Sequence, residues 1–228
     1  MTPVKNDDYW KQVICRPGPV LDPVSRLSEV IFGLIMVLTF TGSISAASAG
    51  REEIGVILWA ALGCNIAWGI VDAFMYLMSL MMERGNGSSA LRSVQASINQ
   101  TESDDLIRNY VSPVIAGLLQ TEQLQHIRKE LKQLPPPPQR IPVFWKDIKA
   151  AIVIFFLVAL STLPCSIPFL LIKDPIYAMR FSNAIALLLL FLTGYKLGKN
   201  TGYNKWLFGL IVAVLGVVLV LMTIALGG

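Results

Sequence analysis

Apolar residues fall in five long blocks along the chain, Leu27–Ala49, Ile54–Met82, Ile148–Ile172, Ile176–Tyr195 and Trp206–Leu226. The blocks neither alternate like strands nor confine their apolar residues to the stripe of a soluble helix. A helix needs about 20 apolar residues to cross the hydrocarbon core of a bilayer. The pattern therefore predicts an all-α integral membrane protein with five transmembrane helices. Between the second and third blocks lies the one sizeable polar stretch. The expected organisation is an N-terminal segment over 1–26, spans one and two over 27–82, a helical loop with a proline-rich end over 83–147, and spans three to five over 148–226.

Composition supports this reading: 54% of the residues are hydrophobic, 15% are charged, and the mean hydropathy is +0.59. Charge sets the orientation. Lys5, Lys11, Arg16 and Arg26 precede the first span, nine basic residues lie from Arg84 to Lys149, and Lys196, Lys199 and Lys205 separate spans four and five. Only Arg51, Lys173 and Arg180 remain for the other side. By the positive-inside rule the N-terminus and the long loop are cytoplasmic, and the odd number of spans puts the C-terminus outside. The net charge of +4 is then an orientation signal and does not call for nucleic acid. A rival reading makes the first block a signal peptide cleaved near "SAASAG". The twenty-six mostly polar residues before it are too long for a usual n-region, and its removal would put the basic loops on the wrong side. Cys15, Cys64 and Cys165 are widely spaced, which supports neither a disulfide framework nor a zinc site.

The loop opens with the flexible "GNGSS" and closes with "LPPPPQRIP", whose prolines favour extended geometry. Between them, Thr101-x-x-Asp104 and Ser112–Pro113 resemble helix starts, and Leu124, Ile127, Leu131 and Leu134 form a helical stripe. A small helical hairpin follows, its stripe packed on the membrane domain or on a second copy, with a regulatory or ligand-binding role as the alternative. His126 within it is expected to be solvated.

Candidate chemistry concentrates in the second span, because polar groups in a membrane are inserted at a cost. Asn65, Gly69, Asp72, Met75, Tyr76, Ser79 and Glu83 follow one another by steps of one to four and share one side of a helix. At about 1.5 Å per residue, Asp72 lies about 27 Å from Ile54, near the inner edge of a core about 30 Å thick. Glu83 then projects beyond that edge, and Glu29 opens the first span on the same side. Three carboxylates, with the thioether of Met75 or Met78 a turn below Asp72, suit a transition metal ion such as Fe(II) better than calcium or magnesium. Asn65, Tyr76, Ser79 and Met36 would line the path. The competing reading makes intramembrane Asp and Asn interhelical hydrogen-bond glue and Met packing. No basic residue is placed at the depth of Asp72, which favours ion or proton binding there. Asn65 reads first as glue, and Glu29 and Glu83 as solvated interface residues.

Elsewhere the marks are weaker. "TFTGSISAASAG" gives span one a small, hydroxylated face, Pro164 and Pro168 interrupt span three, and Arg180 can snorkel to the interface, with Asn183 beside it structural. Trp59, Phe144, Trp145, Tyr195, Tyr203 and Trp206 stand near span ends as an aromatic belt. There is no GxSxG, HExxH or phosphate loop, and the chain is not expected to be an enzyme.

The opening "SEVIFGLIMVLTFTG", the long "LGCNIAWGIVDAFMYLM" and the tail "LPCSIPFLL…SNAIALLLLFLTGYKLG…GLIVAVLGVVLVLMTIALGG" resemble the vacuolar iron transporter family, which includes nodulin-like membrane proteins. The resemblance covers the membrane domain. It implies five spans in this orientation, a homodimer in the bilayer, and exchange of Fe(II) or related divalent ions for protons along the first two helices. Asp72 and Met75 would then stand nearest the family's ion-binding acid and methionine, with no permanent cofactor and with Fe(II) or Mn(II) as cargo. Two features depart from the family. Met36 stands where the first span usually carries an acid, and the loop holds Glu83, Glu102, Glu122, Glu130, Asp104 and Asp105 without repeated E-x-x-E spacing. The resemblance thus points to a divergent member in a bacterial cytoplasmic membrane. The expected function is proton-coupled transport of iron or manganese, and the alternative is a non-transporting scaffold or sensor with the same fold.

Overall fold

The computed structural model describes residues 9–10, 20–48 and 54–225, without the side chains of 42–48, 54, 57, 223 and 224. Lys5, Lys11, Cys15, Arg16 and Arg51, and most of the small-residue face of the first span, lie outside this description. Among the described residues the chain is helical with no strand. Five helical stretches are long and apolar enough to cross a membrane: Pro23–Thr41, Leu58–Ala96, Trp145–Leu171, Pro175–Thr201 and Lys205–Met222.

The chain divides into two compact units, a bundle of 19–77 with 145–228 and a loop unit of 1–18 with 78–144. In the bundle, helix α1 spans Pro23–Ser48 and α2 begins at Ile54 and runs to Ala96, its last part belonging to the loop unit. The first span begins four residues before the apolar block because an Asp-Pro pair starts the helix. Asp22 accepts hydrogen bonds from the backbone N–H groups of Val24 and Ser25 at 2.9 and 3.0 Å and from the Ser25 hydroxyl, and Pro23 occupies the first helical turn. The side-chain and backbone hydrogen bonds from Ser25 hold the Asp22 carboxyl below its ordinary range. The fourth span repeats the device, with Asp174 accepting from Ile176 and Tyr177 N–H at 2.9 and 3.2 Å ahead of Pro175.

The third span is two helices, α6 (Trp145–Ser161) and α7 (Leu163–Leu171), separated at Thr162 where Pro164 prevents a continuous ladder. Helix α8 (Pro175–Thr201) turns into α9 (Lys205–Ala225) through Gly202 at φ +77°. The Tyr203 N–H donates to the Gly198 carbonyl at 3.1 Å, as in a Schellman motif, and Asn204 caps α9 through the Trp206 N–H at 3.1 Å. Small residues bring α8 and α9 together: a side chain at Gly194 would meet Val212 Cβ at 2.9 Å. Leu34, Val37 and Leu38 of α1 form the bundle core with Cys165, Ala186, Leu190 and Val212. The Thr41 hydroxyl also donates to Asn183 Oδ1 at 3.2 Å, so Asn183 serves as the structural residue expected.

The loop unit holds the end of α2 with α3 (Gln100–Tyr110), α4 (Pro113–Leu118) and α5 (Thr121–Gln133). Three expectations are corrected here. "GNGSS" is helical, because Val94 on the next turns of α2 is buried with Ile107 and Leu124, which outweighs about 1 kcal/mol per glycine in helix propensity. Helix α3 is capped two residues before the expected Thr101, by Asn99, whose Oδ1 accepts from the Thr101 N–H at 3.1 Å. Of the stripe, Leu124 is buried inside its own unit against Val94 of α2 and Ile107 of α3, with Ile127 and Leu131 half-buried beside it. The Ser112–Pro113 start is present, with Ser112 accepting from the Ile115 N–H. The proline-rich run is non-helical, and its carbonyls accept from Arg92 at 2.7 Å, from Arg84 at 2.8 Å and from the Trp10 indole at 3.1 Å. His126 is exposed, as expected.

Candidate functional site

The interface of α1 and α2 in the bundle carries the candidate chemistry. The carboxyl of Glu29 lies against that of Asp72, near enough for a hydrogen bond between them once one carries a proton. Asp72 Oδ2 is closed off from solvent and takes no hydrogen bond from the described residues. Among the described residues no cation pairs with either carboxyl. Two acids in such contact repel when both are ionised, so the pair is suited to share a proton or to take a cation between its oxygens.

Going deeper along both helices, the Phe32 ring meets the Trp68 ring edge-on at 6.0 Å between centroids. Phe32 lies three residues on from Glu29, and Trp68 four residues back from Asp72, so the aromatic pair sits one turn inward from the carboxyls. Next comes Asn65, 1% exposed, whose Nδ2 donates to the Gly33 carbonyl of α1 and the Val158 carbonyl of α6, each at 3.4 Å. Its Oδ1 is buried without a partner among the described residues. Helix α2 approaches closely here because Gly69 faces α6, where a Cβ would lie 3.0 Å from the Phe155 carbonyl oxygen. The polar side of α2 thus holds two orphaned acceptors, Asp72 Oδ2 and Asn65 Oδ1, about 10 Å apart along the axis. Hydrogen bonds alone leave them unsatisfied, and an orphaned buried acceptor is costly unless water, a proton or a cation meets it.

Not every expected residue joins this arrangement. Among the described residues no group of three His, Cys, Asp or Glu side chains gathers, so the expected three-carboxylate mouth is a pair. Glu83 is exposed and belongs to the loop unit. Met75 is 54% exposed, on an outward face of the bundle with Phe74 and Val71. Met75 stays a neighbour of Asp72 along the helix, about 60° round from it, but on the side that turns to that exposed face, whereas Tyr76 stays half-buried. Ser79 is exposed and Met36 half-buried, with its carbonyl accepting from the Thr39 hydroxyl at 3.1 Å. The residues that sequence reasoning missed are Phe32 and Trp68. Their offsets of three and four from Glu29 and Asp72 were available, but only the pairing of the two helices makes them meet.

Compared with models of known protein families and with curated proteins, the chain matches none.

Proposed function

We propose that the chain is a multi-pass integral membrane protein that moves a divalent metal ion, iron or manganese, in exchange for protons, with Glu29 and Asp72 as the station that alternates between cation and proton. The observation that carries this reading is the contact of two carboxyls at the α1–α2 interface with no cationic partner among the described residues. A structural role alone gives little reason for two acids in apolar helices to adjoin, because each is expensive there and neither neutralises the other. Binding a divalent ion offsets both charges, and when the ion leaves, two protons taken up by the pair restore neutrality. The orphaned Asn65 Oδ1, two turns inward, is a neutral oxygen ligand for an ion passing beyond the Phe32–Trp68 pair. The resemblance of the spans to the vacuolar iron transporter family favours the same reading and adds a homodimer with its N-terminus and loop unit in the cytoplasm.

A second reading, a membrane scaffold or sensor without transport, is favoured by Met36 in place of an acid in the first span and by the absence of any three-ligand group among the described residues. Uptake of Fe(II) and Mn(II) into proteoliposomes under an imposed pH gradient separates the two. Native protein is expected to fill the vesicles, and Asp72→Asn and Glu29→Gln to reduce the rate at least about tenfold, the loss of about 1.4 kcal/mol of ion stabilisation. No uptake by native protein in either gradient direction would leave the scaffold reading.

A further inference from the structure

Independently of transport, the ends of α1 and α8 frame a second site. A cavity of about 380 Å³ is lined by Pro23, Arg26 and Leu27 from the start of α1 and by Lys196, Lys199 and Asn200 from the end of α8. Three cations line it and no acid does. None of the three makes an ion pair among the described residues, and Arg26 spends only its Nε on a protein acceptor, the Leu21 carbonyl at 3.0 Å. The nearby Asp22 is engaged at the helix start by Val24 and Ser25. Like charges stand together here without a counter-charge among the described residues, which leaves the complement to a ligand.

The depth of the cavity follows from its neighbours. Tyr195 and Trp206 meet edge-on at 5.1 Å, Phe191 lies against both, and the Lys205 ammonium stands 5.4 Å above the Tyr195 ring. Such a cluster at the junction of two apolar helices marks the hydrocarbon boundary. Lys196 follows Tyr195 directly, and Lys199 lies about 6 Å farther out, at the level of lipid headgroups. Pro23 and Leu27 add an apolar wall beside the cations, and the space exceeds that of a bare ion.

We propose that this cavity binds the phosphate of an anionic phospholipid, with Arg26, Lys196 and Lys199 on the phosphate oxygens and Asn200 hydrogen-bonding the polar headgroup. Basic pockets between membrane helices at headgroup level recognise anionic lipid in this way. A soluble phosphate ion has the same charge chemistry, but it makes no use of the apolar wall.

The test is native mass spectrometry of the full-length protein in detergent, titrated with phosphatidylglycerol or phosphatidylcholine. Native protein is expected to retain phosphatidylglycerol at least fivefold in preference. The double variant Lys196→Gln/Lys199→Gln is expected to lose that preference, and Lys129→Gln/Lys149→Gln, which removes the same charge elsewhere, to keep it. Should the first variant fail to elute as native protein, Arg26→Gln alone gives the same reading. Equal retention of both lipids by native protein, or a preference untouched by the cavity variants, overturns the proposal. Displacement of phosphatidylglycerol by millimolar inorganic phosphate overturns the lipid assignment in favour of a free anion.

Discussion

Gly33 shows how one missing side chain shapes the site. It is buried where α1 crosses α6, and a Cβ there would collide with the Ser161 hydroxyl and lie 2.9 Å from the Val158 carbonyl oxygen. The hydroxyl can rotate away, but the carbonyl belongs to a helix backbone and cannot. Its own carbonyl also accepts from Asn65, so moving α1 outward would disturb the contact of α1, α2 and α6 together. Alanine would gain up to about 1 kcal/mol of helix propensity, which obscures its steric cost. Valine separates the effects: Gly33→Val is expected to destabilise the protein by about 1–3 kcal/mol, the usual cost of overpacking. Thermal melting in detergent checks this. Adding Ser161→Ala relieves only the hydroxyl conflict, so the double variant should remain less stable than native protein; full recovery would show that the carbonyl approach is unimportant. Asp72 was legible from the sequence because an acid in an apolar block is conspicuous. Gly33 was not, since its value lies in the approach of the Val158 carbonyl, far along the chain.

At the level of helices, the long apolar blocks announced all five spans, whereas their ends depended on local hydrogen bonds that hydropathy does not weigh. Asp22–Pro23 and Asp174–Pro175 carry a readable start signal, and each begins its helix ahead of the apolar block. The extension of α2 through Gly85 and Gly87 was harder to read, because its cause is tertiary. Val94 at its far end is 3% exposed and packs with Ile107 and with Leu124, which is 2% exposed. Leu124 therefore secures the loop end of α2 as well as α5. Leu124→Ala is expected to cost about 2–5 kcal/mol within the loop unit, the range for emptying a buried leucine site. Amide exchange should accelerate over 85–96, 100–110 and 121–133 together, with the amides of α8 and α9 unchanged. Acceleration confined to α5 would mean that the glycine-containing part of α2 is helical on its own account.

For the whole molecule, the distribution of basic residues has to be reconciled with their uses. Arg84 and Arg92 hold carbonyls of the proline-rich run, and Arg128 lies 3.6 Å from Asp104, so part of the positive charge expected to orient the chain also builds the loop unit. Orientation depends on charge present during insertion, before these contacts form, and counts Lys and Arg near span ends regardless of their later partners. The two roles do not compete. The loop from Arg84 to Lys149 should therefore be cytoplasmic, and the connection between α7 and α8, which carries Lys173, should face the opposite side. In a chain with Cys15, Cys64 and Cys165 replaced by alanine, single cysteines at Glu130 and Lys173, both exposed, report the two sides. In sealed right-side-out vesicles an impermeant maleimide is expected to label Lys173→Cys at once and Glu130→Cys only after permeabilisation. The reverse pattern would invert the topology and place the Glu29–Asp72 end of the bundle at the outer surface, which would require any ion to enter that end from outside. Labelling of both positions in sealed vesicles would mean that the chain inserts in two orientations and that its basic residues do not decide between them.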